Sequence, residues 1–282
     1  MAMTIVFAGR STFDLGYVCP SFPEENGKLS ATHFWAGAGG CALNAAVTAR
    51  MLGSKVRLLT LLGTGPFADA VRGELAQYDV PCEDFAPHGE VLPVSSIFVV
   101  PGNGSRTIVD QQPPQALELP FDPVAALDGA KMVLTDGFLP DLAVPLCREA
   151  RARSVPVVLD GGSWKPWSGD ILPLVDIAIV SERFRPDTLA EIHALGPSHA
   201  AITRGEHPIE WSAGGRSGRI LPPRVEAVDT LGAGDVFHGA FCHFLAAGAN
   251  FPQALEQAAG VAAQSCRGYG PRLPRAASRR RS

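Results

Sequence analysis

Val228-Asp229-Thr230-Leu231-Gly232-Ala233-Gly234-Asp235-Val236-Phe237-His238-Gly239-Ala240-Phe241 is the stretch on which the fold reading turns. Gly232 and Gly234 stand directly before apolar residues at helical spacing (Phe237, Ala240, Phe241, Phe244, Leu245), the pattern of a tight loop entering a helix. Gly248 marks the end of that helix. Small residues at 232 to 234 leave the first backbone N–H groups uncovered, and the positive end of the helix dipole makes them an anion cradle. Asp235 at the helix entrance has two readings. It could accept the proton of an attacking hydroxyl while the amides hold phosphate charge, or it could be an N-terminal cap beside glycines that only serve a turn.

The rest of the chain sets bounds. With 282 residues, 46% hydrophobic and 18% charged, it can bury a large core as an α/β domain with a small appendage. A formal net charge of −4 argues against nucleic-acid binding, which draws on clustered Lys and Arg. Arg272, Arg275, Arg279, Arg280 and Arg281 form the one basic cluster, among Pro, Ala and Ser without periodicity, and read as a solvated tail. The six cysteines lack C-x-x-C pairs or zinc-ligand spacing, as in a reduced, cytoplasmic protein. The apolar start at Ile5 is too short for a signal peptide or a spanning helix, so neither export nor membrane contact is expected.

In chain order, Ile5 to Ala8 reads as a buried strand ended by Gly9, with Asp14 in a loop beyond it as either a substrate ligand or a turn cap. Gly16 to Trp35 and Pro93 to Val109 each suggest two strands joined by a turn, the second around Pro101-Gly102-Asn103-Gly104. Gly37 to Asn44 leads into an Ala-rich helix, but it lacks the Lys-Ser/Thr of a P-loop and the G-x-G-x-x-G of a dinucleotide fold. Strands are expected at Val56 to Leu62, Lys131 to Thr135, Val155 to Leu159, Val175 to Val180 and Ala200 to Thr203. Helices are expected at Phe67 to Tyr78, Asp141 to Arg153, Phe184 to Leu195 and Ala254 to Ser265. This alternation means a mostly parallel sheet covered on both faces, with Asp136, Asp160, Ser181-Glu182 and Thr203 converging on one sheet edge.

Asp229-Thr230-Leu231-Gly232-Ala233-Gly234-Asp235 resembles the C-terminal signature of the ribokinase-like (PfkB) sugar and nucleoside kinases, and Gly39-Gly40-x-x-x-Asn44 resembles the family's N-terminal motif. The resemblance implies an α/β ribokinase-like body at 1–15, 36–92 and 110–275, a β lid at 16–35 and 93–109 that often forms a dimer interface, and a disordered basic tail at 276–282. It makes Gly232, Ala233 and Gly234 the anion hole and Asp235 the catalytic base. Asp14, Gly39, Gly40, Asn44 and Asp110 become sugar ligands, and Thr203, Gly205 and Gly234 contact ATP. Glu182 stands in for the family's magnesium-organising glutamate, acting through water. Asp229 and Leu231 match positions that help hold a monovalent cation such as potassium. The chain departs from the family at Gly63-Thr64-Gly65-Pro66, at Ser181 and at Pro208.

The expectation is therefore an ATP- and Mg²⁺-dependent sugar kinase, dimeric through its lid, that acts on a neutral ketose such as fructose. Its rivals are a nucleoside kinase, with Phe34, Trp35 or Phe138 against the base, and a catalytically idle sugar- or nucleotide-sensing member of the fold. Arg10, Lys28 and Arg106 read as solvated loop or lid charges, and His238 as a packed or capped residue.

Overall fold

The computed structural model describes residues 4–89, 92–101, 105–111 and 118–273. The turn expected at Gly102 to Gly104 and the tail from 276 lie outside the described residues.

The strands are β1 (Thr4–Ala8), β2 (Thr12–Val18), β3 (His33–Gly39), β4 (Lys55–Thr60), β5 (Cys82–Asp84), β6 (Val94–Val100), β7 (Ser105–Asp110), β8 (Ala130–Thr135), β9 (Val157–Gly161), β10 (Ile177–Ser181), β11 (His199–Arg204), β12 (His207–Ala213) and β13 (Arg216–Ile220). The helices are α1 (Cys41–Met51), α2 (Pro66–Gln77), α3 (Pro123–Ala126), α4 (Pro140–Ala152), α5 (Ser168–Ile171), α6 (Leu189–Ala194), α7 (Ala233–Ala246) and α8 (Phe251–Ser265).

Nine strands form one sheet in the order β13-β12-β11-β10-β9-β8-β1-β4-β5. It is parallel from β5 to β11, and β12 and β13 add antiparallel at the edge. In β1, Ile5 and Phe7 enter one core while Val6 and Ala8 enter the other, as the two-residue period of a strand requires. Residues on both sides are apolar, so both faces are covered. One core takes α1, α2, α7 and α8, and the other takes α3 to α6. Each fully buried Leu, Ile or Phe in these layers contributes about 1.5–3 kcal/mol.

A second sheet of four strands, β3-β2-β6-β7, stands apart and forms the lid. Its strands begin earlier than expected, because β2 leaves β1 after only three residues and Thr12 already pairs with Gly39. Asp14 therefore lies within a lid strand and not in a loop. Of the apolar lid residues, Ile97 and Val99 are buried with Val18 and Leu231, whereas Phe22 and Phe34 are exposed.

Two further differences have local causes. The helix expected from Phe184 begins only at Leu189, because Pro186 excludes a helical conformation before it and Thr188 caps the amide of Glu191. The edge hairpin β12–β13 carries little apolar signal, since its outer strand is Arg216-Ser217-Gly218-Arg219-Ile220. All six cysteines are free thiols. No described helix is long and apolar enough to cross a membrane.

Helix α7 crosses α1 at Gly239, where any Cβ would fall inside contact distance of the Ala45 carbonyl oxygen, a backbone atom that cannot swing away. Gly260 in α8 faces open space. Gly239→Ala should therefore lower Tm by several degrees through about 1–3 kcal/mol of overpacking. Gly260→Ala should hold or raise Tm, because it only removes glycine's helix penalty. Thermal unfolding followed by circular dichroism checks the two opposite signs.

Candidate active site

The two motif regions meet where α1 and α7 start. Gly232 stands at the N-cap of α7 with φ 66°, a left-handed conformation that glycine adopts without cost, and no side chain caps the helix. Gly234 is exposed, and a Cβ there would meet nothing within 4 Å, so the amide cradle is open. Asp235 is not the N-cap. It sits within the first turn of α7, and its Oδ2 accepts a 2.7 Å hydrogen bond from Asn44 Nδ2.

Asp235 is surrounded by groups that oppose its charge. Burial, and then the negative charge of Asp160, push its carboxyl up to about 7, while the Asn44 amide, the Cys41 thiol and His238 pull the other way. Ligating atoms of Cys41, Asp160 and Asp235 lie within 4.8 Å of one another. Burial, with Asp235 and Asp160 nearby, pushes the Cys41 thiol well above the ordinary range, so it is present as a thiol. His238 Nδ1 lies 2.7 Å from the Gly234 carbonyl oxygen and 3.3 Å from Asp160, and Nε2 lies 3.1 Å from the Ile179 carbonyl oxygen. The ring thus clamps the first turn of α7 onto the sheet.

Asp136 does hold a helix end, but across the chain. Its Oδ2 accepts from the amides of Arg10 (2.8 Å) and Ala42 (3.2 Å), and its Oδ1 accepts from Phe138 (2.9 Å). It thereby satisfies an orphan N–H at the start of α1, where Gly40 offers no side chain. Burial raises its carboxyl, and these backbone amides oppose the rise.

On the lid side, Gly39 leaves the room that the Asp14 carboxylate fills. Burial raises Asp14, while Thr12, Arg272 and Arg10 lower it. Arg10 is not a solvated loop charge: it is buried and pairs with Asp110 Oδ1 at 2.5 Å. Ser95 Oγ donates to the same oxygen at 3.0 Å. Arg272 is likewise no tail residue. Its guanidinium pairs with Glu74 at 2.9 Å and donates to Asn44 Oδ1 at 2.5 Å. Asn44 Oδ1 therefore already accepts one hydrogen bond, and a hydroxyl ligand would meet its second lone pair and the second N–H of Nδ2. Arg106 Nη1 donates to Thr230 Oγ1 at 2.7 Å and ties the lid to the signature loop. Lys28 is exposed.

The remaining residues lie elsewhere or are engaged. Asp229 accepts the amides of Leu231 (2.9 Å) and Gly270 (3.0 Å), one on each oxygen, and so ties the signature to the following segment. Thr203 Oγ1 donates to the Val180 carbonyl at 3.3 Å, Gly205 takes φ 59° in the turn between β11 and β12, and the side chain of Glu182 is exposed. Residue patterns gave no sign of Glu74 or of Lys165, which is buried with Nζ 4.1 Å from the centre of the Phe138 ring. Arg272 was legible only as part of the basic cluster; it stands two residues after Gly270, whose amide Asp229 accepts.

An open amide cradle beside a half-buried carboxylate, on a doubly covered α/β sheet under a small β lid, defines a phosphoryl-transfer enzyme. The profile of the pfkB family carbohydrate kinase matches residues 3–277, and the chain belongs to that family of sugar kinases. Ribokinase from Bacillus subtilis (strain 168) is 27% identical over 279 residues, covering 94% of each chain. Among solved structures, a putative ribokinase from Agrobacterium tumefaciens superposes with a TM-score of 0.84 at 23% identity, covering 96% of this chain and 93% of its own. Arabidopsis thaliana ribokinase complexed with ribose and ATP gives 0.78 at 22% identity, covering 96% and 94%.

Because the charge of Asp160 is the second cause of the raised Asp235 carboxyl, Asp160→Asn should lower the Asp235 midpoint from about 7. The carboxyl ¹³C shift of Asp235, followed from pH 4 to 9, reports this directly; an unmoved midpoint would mean that burial alone sets it.

Proposed function

We propose that Asp235 is the base in ATP-dependent phosphorylation of a primary hydroxyl of a small neutral sugar. Asp235 takes the hydroxyl proton as that oxygen bonds to the γ-phosphorus, and the bond from phosphorus to the bridging oxygen breaks to release ADP. The amides of Gly232, Ala233 and Gly234 hold the charge of the group in flight. The observation that carries this reading is the half-buried Asp235 carboxyl at the mouth of α7, held at 2.7 Å by the Asn44 amide and pushed up to about 7, a base matched to neutral pH.

Gly205 has open space where a side chain would be, which suits approach by a nucleotide, and with Thr203 it forms the proposed ATP side. Magnesium bound with ATP would neutralise phosphate charge, and the exposed Glu182 is the residue proposed to hold it through water. Asp229 and Leu231 remain the proposed monovalent-cation residues. Both Asp229 oxygens already accept amides, so an ion there would share them, and no step above depends on it.

The sugar side is Asp14, Gly39, Gly40, Asn44 and Asp110. Arg10 and Arg272 each already have a carboxylate partner, which supports a neutral substrate. The nucleoside alternative has less support. Trp35 packs on Gly16 and Gly270, Phe34 is exposed, and Phe138 carries the cations of Arg10 and Lys165 on its ring. The choice between a ketose and a pentose is made by experiment, since the expectation from sequence is a ketose and a relative matched over 94% of its own length is a ribokinase.

ADP release over ribose, 2-deoxyribose, fructose, fructose 6-phosphate and adenosine tests the substrate class. The neutral sugars should exceed the other two. With the best sugar, Asp235→Asn should lower kcat by about two to four powers of ten and leave sugar affinity nearly intact. Wild-type turnover in that variant would remove Asp235 as the base. A homodimer through the lid is also proposed, because Phe22, Phe34, Ile108 and Val109 leave an apolar lid surface in water. Light scattering at micromolar concentration should give twice the chain mass, and a strictly monomeric mass would rule this out.

A further inference from the structure

We propose that Arg272 is a positioning residue for the base, fixing the Asn44 amide so that its Nδ2 is aimed at Asp235. The proposal rests on the reading of Asp235 as the base. An amide can present either its oxygen or its nitrogen, and one exchanges with the other by a half turn. Arg272 removes the choice. Its guanidinium has no acceptor, so the group 2.5 Å from Nη1 is the Asn44 oxygen, and Nδ2 faces the Asp235 carboxylate at 2.7 Å.

Arg272 itself is held at four points. Nε and Nη2 donate to Glu74 Oε1 at 3.0 and 2.9 Å, Nη2 donates to the Ala38 carbonyl at 2.6 Å, and the guanidinium lies over the Tyr78 ring. Glu74 Oε2 in turn accepts the Ala38 amide at 2.7 Å. A residue beyond the last helix thus pins α2, β3 and α1 together and sets the orientation of one amide.

Turned the other way, the Asn44 oxygen would face a carboxylate oxygen, a repulsion relieved only if Asp235 keeps its proton. The other charged or titratable groups facing Asp235 are Asp160 on β9, His238 on α7 and Cys41 on α1. Asp136 and Lys165 act on the Cys41 thiol. Asn44 is thus a donor that favours the ionised base, and Arg272 keeps it one.

The test is the pH profile of kcat/KM for Arg272→Met, which keeps most of the aliphatic volume, and for Arg272→Lys, with Asp235→Asn alongside. In the Met variant the acidic limb should move up by about one to two pH units. Its kcat/KM should fall roughly tenfold or more at pH 7 and largely recover at pH 9. The Lys variant should show a smaller shift in the same direction, since an ammonium can still donate to the Asn44 oxygen. Equal loss at every pH, with the limb in place, would make Arg272 a structural tie and overturn the proposal, as would no loss at all. If circular dichroism shows that the Met variant does not fold, the Lys variant decides alone, and an unmoved limb overturns the proposal. Turnover retained in Asp235→Asn is a separate failure, that of the base itself.

Discussion

Helix α7 lies on α1 with only backbone between them at Gly239 and Ala45, and the site depends on that approach. A side chain there would push the two helices apart, and the 2.7 Å contact between Asn44 and Asp235 is made by side chains too short to follow. Helix starts meet here for a physical reason. Helix α1, entered from the lid strand β3, returns the chain to β4 beside β1, and the segment after β13 brings the start of α7 against it, so the two amide-rich ends arrive on the same side. Two devices then complete the edge: Asp136 satisfies the start of α1 from β8, and His238 clamps the start of α7 to β10.

The charges at this edge are nearly all shared between elements distant in sequence. Arg10 answers Asp110, Arg272 answers Glu74, and Asp160 stands against both His238 and Asp235. Such pairs add little to stability once desolvation is counted, but they decide which oxygens and nitrogens face the substrate. A site built in this way can hold one carboxyl near neutral pH while the surrounding acids are spent on amides and guanidiniums.

The lid belongs to the same arrangement. Leu231 of the signature loop packs with Val18, Ile97 and Val99 of the lid sheet, and Arg106 reaches Thr230. Lid and signature loop are thus mechanically joined.

By itself the sequence determined the layered α/β architecture, because apolar runs of strand length alternate with helix-spaced ones, and it marked Gly232 to Asp235 as an anion-binding helix start. Its resemblance to a known pattern also proposed Asp14 and Gly39 to Asn44 as substrate residues, and the fold sets the Gly39 backbone against the Asp14 carboxylate. The sequence could not show that Asp14 is part of a strand, that Arg272 already donates to the Asn44 oxygen, or that Arg10 is buried and Arg272 half-buried. Those facts turn on contacts such as Arg272 with Asn44, 228 residues apart. Local pattern reports burial, turns and caps, but a charged side chain looks solvated until the fold brings up the carboxylate that receives it. Arg272 was therefore a tail residue in the sequence and became part of the site only in the tertiary structure.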